Sequence, residues 1–366
     1  MKKQLVLAAG LAVLATPAFA SKARLLALGE DVDGSFYIQD NRNIFLNASE
    51  INNNKDFVTY ELAAGDNEGG FARTAGNMVY GVHLGRTLDY NANVQTLGTD
   101  AAAGLNVYDA TNAIDLFLGG DAGVKWGVQL TYSSQKDDAY ASGANVNGAT
   151  TTEANTDVID LSVGIGQGAW NAYAKAGIVG TTEHKDQDAE VKRASDIEVG
   201  GSYNVNGYVV YGQYGMAAYE IDGGAELEKS MLNLGVARQE KLNDKAVMFT
   251  KLNYGMDTSE LKKANTPNET NTNDLTATIG LEFDAASWLT LRGSVGQAVL
   301  VNETEVKPDK STQPNTTIVA AGASLKFGDM TVDGMVGNTT GANAPAGAGT
   351  IDSSNLMTRV SMTYRF

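Results

Sequence analysis

The side chains able to do chemistry are ionic, and they recur at every second position of apolar runs. In the run from Val124 to Tyr132, Lys125, Gln129 and Thr131 alternate with Trp126, Val128, Leu130 and Tyr132. The same parity places Asp115, Asp160, Lys175, Glu198, Lys251, Glu282, Arg292, Lys326, Asp333, Arg359 and Arg365 on the polar face of their runs. Charged side chains spaced this way can line a water-filled passage and set its field for small ions. They can also pair across strands and fill a narrow interior. Hydrolytic catalysis requires a histidine base beside a carboxylate or serine. Only His83 and His184 exist. His83 faces inward with no acid in its own run, and His184 sits in a polar stretch, Glu183 to Asp188. There is no Gly-x-Ser-x-Gly, phosphate loop or metal-ligand cluster, so no enzyme, cofactor or metal is expected; calcium on acidic loops stays open. Without cysteine there is no disulfide framework or thiolate site. A net charge of −16 argues against nucleic acid as a partner, since phosphates need cationic faces.

The elements that position these residues read as strands. From Phe57 onward, alternating segments of about ten residues succeed one another, the length of a tilted membrane-spanning strand. Met78, Tyr80, Val82 and Leu84 form one apolar face; Leu275, Ala277, Ile279, Leu281 and Phe283 form another. Tight Gly/Asn/Asp connections at Gly76-Asn77, Asp121-Ala122, Gly166 to Gly168, Asn206-Gly207, Asn243-Asp244, Asp284 to Ser287 and Gly328-Asp329 read as hairpin turns. Longer polar segments lie between them, at 87–112, 134–156, 180–194, 220–229, 257–273, 300–315 and 339–354. Short and long alternate strictly, as periplasmic turns and outer loops do in membrane barrels. Counting back from the last strand gives sixteen strands, or fourteen if the first two (57–64 and 70–75) lie outside the wall. Trp126, Trp170, Tyr203, Trp288 and Phe327 gather near the tight turns, where an interfacial aromatic girdle belongs. The fold class expected is an all-β, antiparallel, up-and-down transmembrane barrel, with a luminal or periplasmic N-terminal segment.

Residues 1–20 read as a signal peptide: Lys2-Lys3, an apolar run too short to span a bilayer, and Ala18-Phe-Ala20 before Ser21. Met357 to Phe366 alternates Val360, Met362, Tyr364 and Phe366 against Arg359, Ser361, Thr363 and Arg365. It resembles the C-terminal strand of bacterial outer-membrane barrels, in which a terminal aromatic such as Phe366 is the assembly signal. Residues 21–56 carry Ala23, Arg24, Ala27, Leu28, Gly29, Asp40, Asn43, Phe45 and Asn47. That segment resembles the start of porin-like outer-membrane proteins of deltaproteobacterial predators and of fatty-acid-transporter-like barrels, with Ala48 where that pattern has proline. The resemblance covers about thirty residues and implies a hatch or plug, with 57–366 as the barrel. Sixteen strands with charged inward positions read as a porin passing small hydrophilic solutes and ions, with a plugged transporter of hydrophobic substrates or a structural or adhesive protein as alternatives. By analogy with general porins, Lys136, Asp137, Asp138 and Glu153 of the third long loop are constriction candidates. The partners implied are outer-membrane lipid and lipopolysaccharide, the barrel-assembly machinery and two further copies in a homotrimer.

Overall fold

The computed structural model describes residues 21–62, 67–100, 112–139, 152–184, 189–222, 224–262, 268–306, 309–312, 317–338 and 356–366. The signal-peptide reading of 1–20 falls outside them. The strands in chain order are β1 (Phe57–Leu62), β2 (Glu68–Ala75), β3 (Met78–Arg86), β4 (Ala113–Asp121), β5 (Lys125–Ala139), β6 (Thr152–Gln167), β7 (Trp170–His184), β8 (Ala189–Val205) and β9 (Tyr208–Ile221). They continue as β10 (Glu226–Asn243), β11 (Ala246–Lys262), β12 (Asn268–Ala286), β13 (Leu289–Val306), β14 (Asp309–Thr312), β15 (Thr317–Phe327), β16 (Met330–Asn338) and β17 (Leu356–Arg365).

Each strand pairs antiparallel with its neighbours in one sheet. β14 and β15 lie end to end against β13, at Glu303–Val306 and Leu289–Gln297 respectively, so the seventeen described strands make sixteen positions in the wall. The sheet closes where β1 meets β17, from Phe57 opposite Arg365 to Leu62 opposite Val360. Closure leaves no edge, so every strand has partners for its peptide groups on both sides, the condition for crossing lipid. β1 and β2 stand in the wall, and the sixteen-strand count holds over fourteen.

Tight turns join the strands at one end. At Asn206-Gly207 both residues have positive φ, +53° and +83°, the pattern of a type I′ hairpin turn. At the other end the strands outrun their expected length: β5 to β13 span 14 to 19 residues each. The described parts of the segments expected as loops, 134–139 and 152–156, 180–184 and 189–194, 257–262 and 268–273, and 300–306 and 309–312, therefore continue the wall. Beyond lipid both faces of a strand are wet, so apolar alternation disappears, but backbone N–H and C=O groups still need partners and the ladder goes on.

Outward side chains form an apolar band, including Leu116, Leu118, Leu130, Tyr132, Ile279, Leu281, Met362 and Tyr364, all well exposed. The inside holds four buried apolar clusters rather than one core. Three of them join residues 21–52 to the wall. The fourth joins the wall to α3 (Asp89–Asp100), a helix in the segment after β3.

Candidate functional site in the lumen

Residues 21–56 fold into three short helical turns. α1 (Lys22–Ala27) starts at Ser21, whose Oγ accepts from the Arg24 amide at 3.0 Å. α2 (Asn43–Leu46) and the 3₁₀ turn η1 (Ala48–Asn52) follow, η1 capped by Asn47 Oδ1 accepting from the Ser49 amide at 3.0 Å. At Gly127 on β5 a Cβ atom would run into the Ala48 carbonyl, so the wall carries glycine where the η1 backbone presses on it.

The segment is bound by charge. Arg24 grips Glu282 with Nε at 3.0 Å and Nη2 at 3.3 Å, and donates Nη1 to Asp40 at 3.1 Å. Arg42 pairs with Glu68 on β2 and with Asp33 at 2.9 Å. Lys22 Nζ meets Glu68 at 3.1 Å, while its amide donates to Glu61 on β1 at 3.0 Å. Lys251 on β11 reaches back to Glu30 at 2.5 Å. Buried charges are tolerated when paired and hydrogen-bonded in this way. Burial pushes the Asp40 carboxyl up to about 7, against the pull of Arg24. Burial works to raise Asp33 as well, but Arg42 and Arg86 outweigh it and hold that carboxyl below the usual range.

α3 occupies the lumen from the long-loop side. Its Tyr90, Val94 and Leu97 are buried against Val158, Val191, Tyr219, Leu227 and Leu261 of the wall. Tyr90 and Thr182 share a hydroxyl hydrogen bond at 3.1 Å, and Asn93 donates to the Tyr219 hydroxyl at 3.0 Å.

Two cavities lie on either side of the folded N-terminal segment. One of about 270 Å³ is at the tight-turn end, against Phe36, Gln39, Lys125, Trp170, Asn171 and Gln239. The other, of about 120 Å³, is on the long-loop side, between Phe45, Arg86 and Tyr90 and the wall residues Asp160, Lys175 and Glu198.

The residues singled out from the sequence fall as follows. Asp115 and Asp333 are fully buried. Asp115 accepts from Arg86 Nη2 at 2.8 Å and Asp333 from Arg292 Nη1 at 2.8 Å. Arg292 Nε also lies 3.1 Å from Glu282. Asp160 meets Arg193 at 2.5 Å, Lys175 meets Glu198 at 3.0 Å, and Lys326 meets Asp284 at 3.1 Å. Lys125 bonds Asn53. Arg359 and Arg365 are partly buried beside the β1–β17 seam, and Phe366 is exposed, its amide bonded to the Asp56 carbonyl at 3.2 Å. Lys136 is exposed on the outer part of β5. Asp137, Asp138 and Glu153 lie in the paired ends of β5 and β6, Asp138 opposite Glu153, and their side chains fall outside the described residues.

Sequence reading did not single out Arg42, Arg86, Asp89, Tyr90 or Arg193. Arg193 and Asp89 stood in segments read as loops. Tyr90, like the whole of α3, lies in the 87–112 segment read as a loop.

No family model matches the chain, and no curated protein matches it. Among solved structures, a porin refined at 1.8 Å is 14% identical, covers 85% of this chain and 99% of its own, and has a TM-score of 0.42. The toluene transporter TodX of Pseudomonas putida is 12% identical over 91% of this chain and 95% of its own, with a TM-score of 0.40. CdiB from Acinetobacter baumannii is 10% identical over 85% of this chain and 59% of its own, with a TM-score of 0.47. The architecture is a closed antiparallel β-barrel with sixteen strand positions in its wall. What it does is argued from its own residues.

Proposed function

We propose that the protein is an outer-membrane channel for small hydrophilic solutes and ions, occluded in this state by residues 21–56. The observation that carries the reading is the charged interface between that segment and the wall. Arg24 to Glu282, Arg42 and Lys22 to Glu68, and Lys251 to Glu30 are all ionic contacts across the lumen. A conduit for hydrophobic substrates would place apolar side chains along such a path, because transferring an apolar solute past unscreened charges gains nothing. Both cavities flanking the segment are bordered by charged and amide side chains, with Lys175 and Glu198 among those of the long-loop cavity. Sixteen strands enclose enough space for an aqueous passage once the segment moves. The assembly expected with this function is a homotrimer in lipopolysaccharide-bearing outer membrane, delivered after signal cleavage.

Planar-bilayer recording tests it. The full chain should give rare or small ohmic steps. A variant lacking residues 21–56, shown to be folded by its heat-modifiable mobility, should give larger and sustained ones. Silence from both proteins would sink the channel reading. Identical steps from both would take the segment out of the permeation path.

A further inference from the structure

The long-loop cavity has an uneven distribution of charge. Five carboxylates border it: Asp33, Asp89, Asp160, Asp196 and Glu198. Most are matched: Asp33 by Arg42 at 2.9 Å, Glu198 by Lys175 at 3.0 Å. Arg86, also on the cavity, is committed to Asp115 outside it, at 2.8 Å. Arg193 is shared, holding Asp160 at 2.5 Å and Asp196 at 3.4 Å, so one guanidinium answers two carboxylates. Asp89 makes no hydrogen bond or ion pair among the described residues, although it stands at the first turn of α3 facing this space. Burial and the neighbouring Asp33 carboxylate push its pKa upward.

Asp89 is thus left without a contacting cation, and the Asp160–Arg193–Asp196 group carries one carboxylate more than it has guanidinium groups. A second, independent feature points to a ligand. Ser162, which also borders the cavity, is 6% exposed, and its hydroxyl has no hydrogen-bond partner. A buried, unpaired hydroxyl costs free energy unless something in the cavity satisfies it. Two aromatic rings, Phe45 and Tyr90, complete the border with surfaces suited to methylene groups.

We propose that this cavity is a binding site for small aliphatic ammonium ions, with diamines preferred over monoamines. An ammonium group supplies positive charge and three donors, enough for two carboxylates and the Ser162 hydroxyl acting as acceptor. A second ammonium at the far end of a short methylene chain answers the second unmatched charge. No three acidic or histidine side chains are arranged to hold a metal ion among the described residues, which favours an organic cation over a bare divalent one. The volume, about 120 Å³, suits a chain of a few carbons.

The inference rests on reading the lumen as a solute path, but its test needs no conduction. The full chain, folded in detergent micelles at low ionic strength, is titrated calorimetrically with 1,4-diaminobutane, n-butylamine and 1,4-butanediol. The diamine should bind saturably at one site per chain, the monoamine more weakly, and the diol not at all. Asp89→Asn should weaken the diamine at least about tenfold, the loss expected for one charge-assisted contact. Asp196→Asn should do the same and carries the test if the first variant does not fold. Glu228→Gln, in an outer strand end away from the cavity, should leave binding unchanged. Absence of saturable binding, equal binding of the diol, displacement of the diamine by equimolar calcium, or an equal loss in Glu228→Gln would each overturn the proposal. Binding without conductance would leave the amine site standing and remove the channel. Conductance without binding would do the reverse.

Discussion

Arg24 serves two carboxylates at once, the partly buried Glu282 on the wall and the buried Asp40 in its own segment, and is itself almost wholly buried. Removing its guanidinium leaves Asp40 without its cation and Glu282 with Arg292 alone. Breaking a buried pair from one side costs about 3–5 kcal/mol. Arg24→Ala is therefore expected to release residues 21–56 at markedly lower urea than the parent, read as proteolytic cleavage of the segment while the barrel stays intact. Arg24→Lys, which keeps the charge but loses the fork, should fall between. Cleavage of Arg24→Ala at the parental urea concentration would remove this pair from the docking energy. Gly127→Val tests the opposite kind of contact. Its side chain would collide with the Ala48 carbonyl, so the same assay should show η1 displaced with the ion pairs still present. At this scale the sequence shows which wall residues face inward, because parity alone decides that. It does not show their partners. Arg86 with Asp115, and Arg193 with Asp160, are separated by 29 and 33 positions, and no local pattern joins them.

The N-terminal segment shows how an element can be visible in sequence while its fastening is not. Leu25, Leu28, Ile38, Ile44 and Phe45 are too apolar for a solvated tail, and all are buried. Its attachment depends on pH through Asp40. Burial raises that carboxyl to about 7 when docked, from an ordinary value of ~4 when the segment is free. The docked state thus holds the proton more tightly, so this group's contribution favours docking at low pH and is lost as pH rises from ~4 through about 7. Asp33 has the opposite sign, its docked value being depressed, and its contribution is lost only as pH falls below the carboxylate range. Asp31 and Glu50 of the segment are pushed up by burial too, so they add to the slope that Asp40 gives between ~5 and ~8. We expect protease release of the segment to be slower at the acid end, and Asp40→Asn to flatten the difference. An unchanged slope in Asp40→Asn would assign the pH dependence to other groups. α3 was less legible. Its apolar positions stand among Asn, Asp and Gly, and only burial against Val158, Val191 and Leu227 reveals them as one face.

For the whole molecule, the strand count was legible because closure imposes an even number and tight turns mark one end; strand length was not, since the ladder outlasts the apolar pattern. Two charge populations then compete to set selectivity. Inward bases lean cationic by number, but the structure occupies several of them: Lys175 on Glu198, Lys251 on Glu30, Arg292 on Asp333, Lys326 on Asp284. The chain as a whole carries −16. In the channel proposed above, with much of the inner cationic wall neutralised at close range, the acids of the long segments, Asp137, Asp138, Glu183 and Glu190 among them, would govern the field felt by an entering ion. Mouth charges are hydrated and act over the Debye length, ~30 Å at 0.01 M salt but only ~3 Å at 1 M. Cations should accordingly be preferred in dilute KCl, with the preference fading toward none as salt rises. Reversal potentials across a KCl gradient, measured on the conducting form at several mean concentrations, give the answer directly. Anion preference at low salt would mean that lumen bases not held in these pairs outweigh the acidic mouth.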